Sequence, residues 1–405
     1  MPTLKSIVVN AKQYGMVAAG GLGLTAGGAP SGPLNAQIGI SDPCNHKCVF
    51  CWDHPPEDRA NEKTQSRFGG DMPGLMSFDQ FKGIVDDLYD LGTRRVDLIG
   101  RGEPLNNRSA LDMVRYAKTR GMQLSLCTNG SRLLAPIADA LISARLDILN
   151  VSLNAGSPEN YPRNHVTERP ENYLKVKRNL RYLADRKTAV GTRLPYVSLS
   201  FVISSRNYFE IVQMIEVAQE VGANEVQLAH VVVHEGTPDL ALTETQYAEL
   251  LAALPLAQAQ AKQYKIQSNL GKFAATVPSY LQQEIVGPAV VPCYVGWYFA
   301  LILANGSVLP CCQCAAPVGK VSEKQRLSDV WSSPAYADFR NAAKSLPAKS
   351  VALDSCECDR CQLRPRNLAI HNFLHPFEKI PGGEEVQRFT LKDLALKLLG
   401  RHGNA

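Results

Sequence analysis

From residue 36 the chain alternates strand-like and helix-like runs six times, and this repeat limits its possible folds more than any other feature. Residues 36–41 (AQIGIS), 95–100 (RVDLIG), 122–127 (MQLSLC), 147–153 (DILNVSL), 196–203 (YVSLSFVI) and 225–232 (EVQLAHVV) read as strands. Helix-like segments follow at 77–91, 109–119, 131–143, 171–186, 207–220 and 244–262, the first opened by Ser77 as its cap. Such repeats bury their faces as α/β layers, with parallel strands joined by right-handed crossovers. The sheet is then either open and doubly wound or curved into a barrel, and the pattern does not fix the strand order. In both cases ligand-binding groups gather at the C-terminal ends of the strands.

Composition sets the outer bounds. With 405 residues, 45% of them apolar, the chain can build a sizeable core and two units. The net charge of +5, from 43 basic and 38 acidic residues, is a weak bias, and no dense Lys/Arg block with interleaved aromatics occurs. No nucleic-acid partner is expected. Nothing approaches about eighteen consecutive apolar residues, so no transmembrane segment is expected. Residues 1–35 form a glycine-rich N-terminal extension, read as a flexible or loosely packed cytoplasmic segment. The main unit runs over 36–270. A cysteine-rich unit runs over 288–375, with Gly306 in a hairpin-like turn. A tail, 376–405, carries the helix-like run TLKDLALKLLG.

Eleven cysteines stand at 44, 48, 51, 127, 293, 311, 312, 314, 356, 358 and 361. An odd, clustered set in a long α/β chain points to metal ligation in a reducing, cytoplasmic compartment rather than to disulfides. Cys44, Cys48 and Cys51 make C-x3-C-x2-C in CNHKCVFC. Three thiolates this close can wrap one face of a cubane cluster and leave one iron open to a small molecule. His46 and His54 offer a fourth ligand, Asp53 less readily. A structural zinc knot is the alternative, although zinc sites typically use two ligand pairs.

The run CNHKCVFC, set just after the first strand, resembles the signature of the radical SAM superfamily. The resemblance covers roughly residues 36–365. It implies a partial (β/α)6 barrel with a small C-terminal cluster-binding domain. It implies that Cys44, Cys48 and Cys51 hold a [4Fe–4S] cluster whose open iron binds S-adenosylmethionine (SAM). Reductive cleavage then gives methionine and a 5′-deoxyadenosyl radical. Phe50 is implied near adenine. Gly100-Arg101-Gly102-Glu103-Pro104 resembles the family's GGE-like motif, with Arg101 where a glycine is usual. Gly102 keeps the close backbone approach, and Glu103 offers acceptors to the SAM ammonium. Ser152 and Asn154, ending the fourth strand, are implied at the ribose or carboxylate. Arg206, with Asn207, is implied at the carboxylate, a helix cap being the other role for Asn207. Thr128-Asn129-Gly130 resembles the TNG motif, which implies a role in loop geometry and a contact to sugar or substrate.

In the second cysteine group, two spaced ligands, Cys293 and Cys311, plus the C-x2-C pair Cys358 and Cys361 can close a four-cysteine site. Zinc could fill it too. The group resembles the auxiliary-cluster domain of radical SAM enzymes in its shortened, twitch form of SPASM, which holds one further [4Fe–4S] cluster. Cys356 with Cys361 is an alternative pair. Cys314 is a candidate hydrogen-atom donor to a substrate radical, and Cys127, ending an apolar strand, reads as core.

The resemblance fixes the initiating step and leaves the substrate open. The first expectation is a small molecule, a sugar, cyclitol or nucleotide-like compound, undergoing oxidation or epimerisation. An electron donor such as flavodoxin or ferredoxin is expected as a partner. The alternative is maturation of a ribosomally made peptide. No leader-peptide-binding pattern is recognised in 1–35 or after 365, which favours the small molecule. A non-catalytic iron–sulfur interaction protein is the remaining class. Tyr161, Arg163 and His165, in SPENYPRNHVTERPENY, are candidates to face substrate, Tyr161 and Arg163 being taken with Cys314 as the catalytic set.

Overall fold

The computed structural model describes residues 14–51, 53–56, 74–233, 236–281, 291–347, 353–358, 361 and 363–375. All six expected strands form: β1 (Asn35–Gly39), β2 (Arg95–Ile99), β3 (Gln123–Thr128), β4 (Ile148–Ser152), β5 (Tyr196–Ile203) and β6 (Glu225–His230). The short β7 (Gln267–Ser268) continues them. Neighbours pair in parallel and in sequence order, β1 to β7.

That order decides between the two expected sheets. A doubly wound sheet reverses direction at a switch point. Here no reversal occurs, so right-handed crossovers place every helix on one face and leave the other bare. The strands alternate accordingly. Ala36, Ile38, Val96, Leu98, Leu124, Leu126, Leu149, Val151, Leu199 and Phe201 are fully buried, on the helical side. The opposite row is polar and joined in register: Gln37 beside Asp97, Asp97 beside Ser125, Cys127 beside Asn150, Asn150 beside Ser198. Asp97 accepts from Asn35 Nδ2 and Ser125 Oγ, each at 2.6 Å. This polar row lines the concave side of a partial (β/α)6 barrel.

Helices span Phe78–Asp90, Ala110–Thr119, Ala135–Ser143, Pro170–Ala189, Ile211–Val221 and Glu244–Tyr264, within a few residues of expectation. Ser77 caps the first, its side chain accepting from Gln80 N. Thr243 and Gln246 form a reciprocal capping box on the last.

The C-terminal unit is not separate from this sheet. β8 (Phe299–Ile302) pairs in parallel with β1. β9 (Ser307–Leu309) and β10 (Gly319–Lys320) follow antiparallel, giving one ten-stranded sheet. Gly306 makes the hairpin turn at φ +83°, and a Cβ there would meet Val321 O at 2.3 Å. Asp87 ties the units further, accepting from the Arg326 guanidinium and from Leu327 N.

The loose packing expected of residues 1–35 does not hold for their described part. Residues 14–21 are helical, with Met16 and Val17 buried. Trp297 Nε1 donates to Gly28 O at 3.1 Å, Trp331 Nε1 to Ser31 O at 2.8 Å and Arg340 Nη1 to Gly27 O at 3.1 Å. Buried indole and guanidinium donors need acceptors, and this segment supplies its backbone carbonyls. Glycine reads as flexible in a sequence, but at Gly20 it serves close approach, since a Cβ would lie 2.4 Å from the Trp297 ring. Residues 1–13 and the tail helix-like run in 376–405 lie outside the described residues.

Candidate active site

The loops after β1, β2, β3 and β4 meet at the C-terminal rim. Residues 41–43 are zipped to the motif after β2: Gly102 N donates to Ser41 O and Glu103 N to Pro43 O, both at 3.1 Å. A Cβ on Gly102 would sit 2.2 Å from Pro43 O, so only glycine fits. Arg101, the departure from the family pattern, reaches across to Asp53 Oδ1 at 3.0 Å and holds the far end of the cysteine loop. The Glu103 side chain turns inward. Its Oε1 accepts from Leu105 N at 3.0 Å and Thr128 Oγ1 at 2.7 Å, and its Oε2 from Asn129 N at 2.7 Å. Burial pushes its carboxyl above the usual carboxylate range, and these bonds oppose that rise. Three donors leave acceptor capacity on the carboxylate for an ammonium. Thr128 and Asn129 therefore act directly on Glu103, a link that the loop-geometry reading of the TNG run had missed. Asn129 Nδ2 also donates to Asn45 Oδ1 at 3.0 Å, joining this loop to the cysteine loop.

Cys44, Cys48 and Cys51 stand together, and their chemistry fits an iron–sulfur cluster. Burial raises all three thiols, Cys51 to about 12, and neighbouring cysteines raise Cys48 and Cys51 further. Crowded buried thiolates are unfavourable without a cation centre, which a cluster provides. His46 N lies 3.5 Å from Cys44 Sγ and His54 N 3.1 Å from Cys51 Sγ, so backbone donors already face two sulfurs. His165 Nδ1 lies 3.1 Å from Cys48 Sγ, and its Nε2 lies 3.2 Å from Leu153 O. An antiparallel bridge of Cys48 with His165 seats that ring, with Val49 N donating to Asn164 O and Val166 N to Lys47 O. His46 and His165 are buried, and desolvation lowers them to about 3 and about 4, so both are neutral. His54, offered as a fourth ligand, donates Nε2–H to Asp42 O at 2.6 Å.

The remaining rim residues divide. Phe50 packs with Val49, Val202 and Val231 near the ends of β5 and β6. Ser152 lies on the concave face, its Oγ 3.8 Å from Cys127 Sγ. Cys127, read as core, is thus on the concave polar face, with burial raising its thiol to about 11. Asn154 is held in the strand exit. It is 2% exposed, its Oδ1 accepts from Val202 N at 2.9 Å, and it holds φ +56°, which asparagine tolerates in a tight strand exit. Arg206 is likewise engaged, with Asp239 Oδ2 and Arg163 O, each at 3.0 Å. Asn207 makes no side-chain cap bond to the following helix; it braces the preceding loop instead, its Oδ1 accepting from Ser204 N and its Nδ2 donating to Val202 O, each at 2.8 Å.

Tyr161 does not face substrate. It is fully buried behind the cysteine loop, 4.5 Å from the His165 ring and 5.5 Å from Tyr173. Arg163 points to solvent. The expectation fails for Tyr161 because its part of the segment folds under the cysteine loop instead of over the barrel mouth.

The second cysteine site lies at the outer strands. Cys293, Cys358 and Cys361 line one cavity with Val291, Leu346, Arg364 and Asn367. Cys311 lies just after β9, and its hydrogen bond with Cys312 together with burial holds its thiol well above the usual range, the nearby Cys312 and Cys293 thiols adding to the rise. Burial raises Cys293 to about 12. This is again a crowded thiol set suited to a cluster. Cys314 is joined to Cys356 by a disulfide and is 2% exposed. It carries no thiol hydrogen to give, which overturns its reading as the donor, and the same bond removes Cys356 as an alternative ligand.

Among the described residues no helix is long and apolar enough to cross a membrane. The family model described as the radical SAM superfamily matches residues 38–218, and that of the SPASM iron–sulfur cluster-binding domain matches residues 293–362. The chain is 28% identical to a probable GTP 3′,8-cyclase of Metallosphaera sedula over 64% of its own length and 74% of that protein. Other archaeal proteins of that name match over 54–55% of their lengths. It is 24% identical to the PqqA peptide cyclase of Xanthomonas campestris pv. campestris over 82% of this chain and 84% of that one. In fold it is similar to Streptococcus suis SuiB bound to S-adenosylmethionine, with a TM-score of 0.56 and 18% identity, over 87% of this chain and 76% of that one. The chain is a radical SAM superfamily enzyme, using S-adenosylmethionine and [4Fe–4S] clusters, with a C-terminal SPASM-type cluster-binding domain.

Proposed function

We propose that this enzyme acts on a peptide, removing a hydrogen atom from one of its C–H bonds in an oxidation or crosslinking reaction. The likeness to the PqqA peptide cyclase carries this reading, because it runs through the barrel and the cluster domain alike. It displaces the small-molecule expectation, which rested on finding no leader-binding pattern in 1–35 or after 365.

Bound at the rim, the first cluster and SAM supply a 5′-deoxyadenosyl radical. The protein's part is to hold and orient. Cys44, Cys48 and Cys51 ligate the first cluster, and Cys293, Cys311, Cys358 and Cys361 the auxiliary one. Glu103, fixed by Thr128 and Asn129, receives the SAM ammonium, with Gly102 allowing the close approach. Ser152 and Phe50 are further candidates to contact bound SAM. The polar row Gln37, Asp97, Ser125 and Asn150 offers hydrogen bonds to a substrate rich in amides. Epimerisation would need a donor on the far face of the radical carbon. With Cys314 bonded to Cys356, oxidation or crosslinking is favoured.

A nucleotide substrate is the second reading, favoured by the 28–30% identity to probable GTP 3′,8-cyclases. The test is anaerobic turnover with dithionite and SAM, offering either short peptides encoded beside the gene or GTP. Peptide-stimulated 5′-deoxyadenosine release with a peptide product lighter by two hydrogens supports the proposal. Stimulation by GTP alone sinks it.

A further inference from the structure

The SPASM match ends at residue 362, and the helix Arg364–Leu374 begins just beyond it. That helix returns to the auxiliary site and brings Asn367 into its wall. Asn367 is 4% exposed. Its Oδ1 accepts from Tyr294 N at 3.0 Å and from the Tyr298 hydroxyl at 3.4 Å. A backbone N–H can only donate, so the carbonyl end of the amide is fixed there. The NH₂ end is thereby aimed at Cys293 Sγ, 3.3 Å from Nδ2. One turn on, His371 Nδ1 meets the Tyr294 hydroxyl at 2.9 Å and anchors the helix against the same segment.

We propose that Asn367 is a positioning residue of the auxiliary cluster: it donates an N–H···S bond to the Cys293 sulfur and thereby raises the reduction potential of the cluster held there. The proposal rests on Cys293 being a ligand of that cluster. Reduction adds one electron, much of whose charge spreads onto the sulfurs. An N–H aimed at a ligand sulfur is therefore worth more in the reduced form than in the oxidised one, and hydrogen bonds to the sulfurs are a recognised lever on cluster potential. The amide cannot ionise, so the effect does not depend on pH.

The test uses the full-length chain with Cys44, Cys48 and Cys51 all changed to Ala, so that only the auxiliary cluster is present. Asn367→Asp keeps the acceptor for Tyr294 N–H and replaces the donor by an oxygen. Asn367→Leu keeps the branched shape and removes both. Electron paramagnetic resonance followed through a redox titration reads the midpoint. The expected result is about four irons retained and a midpoint shifted to lower potential in both variants, further in Asn367→Asp. An unchanged midpoint overturns the proposal. Loss of iron from both variants with the helical circular dichroism intact also overturns it, leaving a purely structural side chain. Cys293→Ala in the same background separates the premise: if it keeps its full iron, the ligand reading fails instead.

Discussion

Thr128 Oγ1 donates to Glu103 Oε1 at 2.7 Å, so the end of β3 sets the carboxylate at the end of β2. Both side chains are 2% exposed, and a buried acceptor that loses one donor is destabilised by about 1–3 kcal/mol. Thr128→Val should lower the thermal midpoint and weaken SAM binding severalfold, measured by anaerobic calorimetry on the reconstituted protein. Unaltered SAM affinity would separate the Thr128 contact from cofactor binding.

Changing Cys44, Cys48 or Cys51 to Ala should abolish 5′-deoxyadenosine formation and leave the auxiliary cluster in place. Iron should fall from about eight to about four per chain. Retained cleavage in any of the three variants rejects the ligand assignment. A wild-type value near four, with stoichiometric zinc, would place zinc at one of the two sites.

Cys127 is the one strand cysteine on the concave face among the described residues, beside Ser152. If the reaction is oxidative, turnover in heavy water should leave no deuterium at the attacked carbon, and Cys127→Ala should still turn over. Stable deuterium at that carbon, lost in Cys127→Ala, would make the enzyme an epimerase with Cys127 as its donor.

His230 stacks on Phe273 at 4.1 Å, and burial lowers its imidazolium pKa from 6.5 to about 3. A folded value below the unfolded one means stability fully present above pH 6.5 and lost as the pH falls toward 3. Denaturant unfolding of the cluster-free protein should weaken between pH 7 and pH 4.5. His230→Gln should recover on the order of 2 kcal/mol of that loss. Equal pH sensitivity in the two proteins would argue against His230 as a source.

The barrel was legible because its signals are local. Alternation along each strand and capping by Ser77 and Thr243 need only a few residues of context. The cysteine spacing was legible for the same reason. What escaped the sequence is contact across distance. Cys48 meets His165 117 residues away, and Asn367 meets Cys293 74 residues away. Neither residue type carries a signal of its own at those positions. Tyr161 and Asn154 were misplaced because polar residues in a loop read as exposed, whereas both are enclosed beneath the cysteine loop and the β5 strand. Gly20 and Gly28 misled in the opposite sense, since glycine marks close packing as readily as freedom.

The parallel pairing of β8 with β1 aligns Ala36 with Ala300 and Ile38 with Ile302. β1 runs on into the loop of Cys44, while Cys293 precedes β8 and Cys311 follows its hairpin partner. The separation between the two cysteine sites is therefore set like marks on a ruler, by backbone register. A slip of one residue would shift the marks by about 3.3 Å and turn every side chain of the strand to the opposite face. Cutting the chain before β8 would leave β1 as a bare edge inviting association with other chains, so the barrel and its cluster domain should be made, and should fail, as one piece.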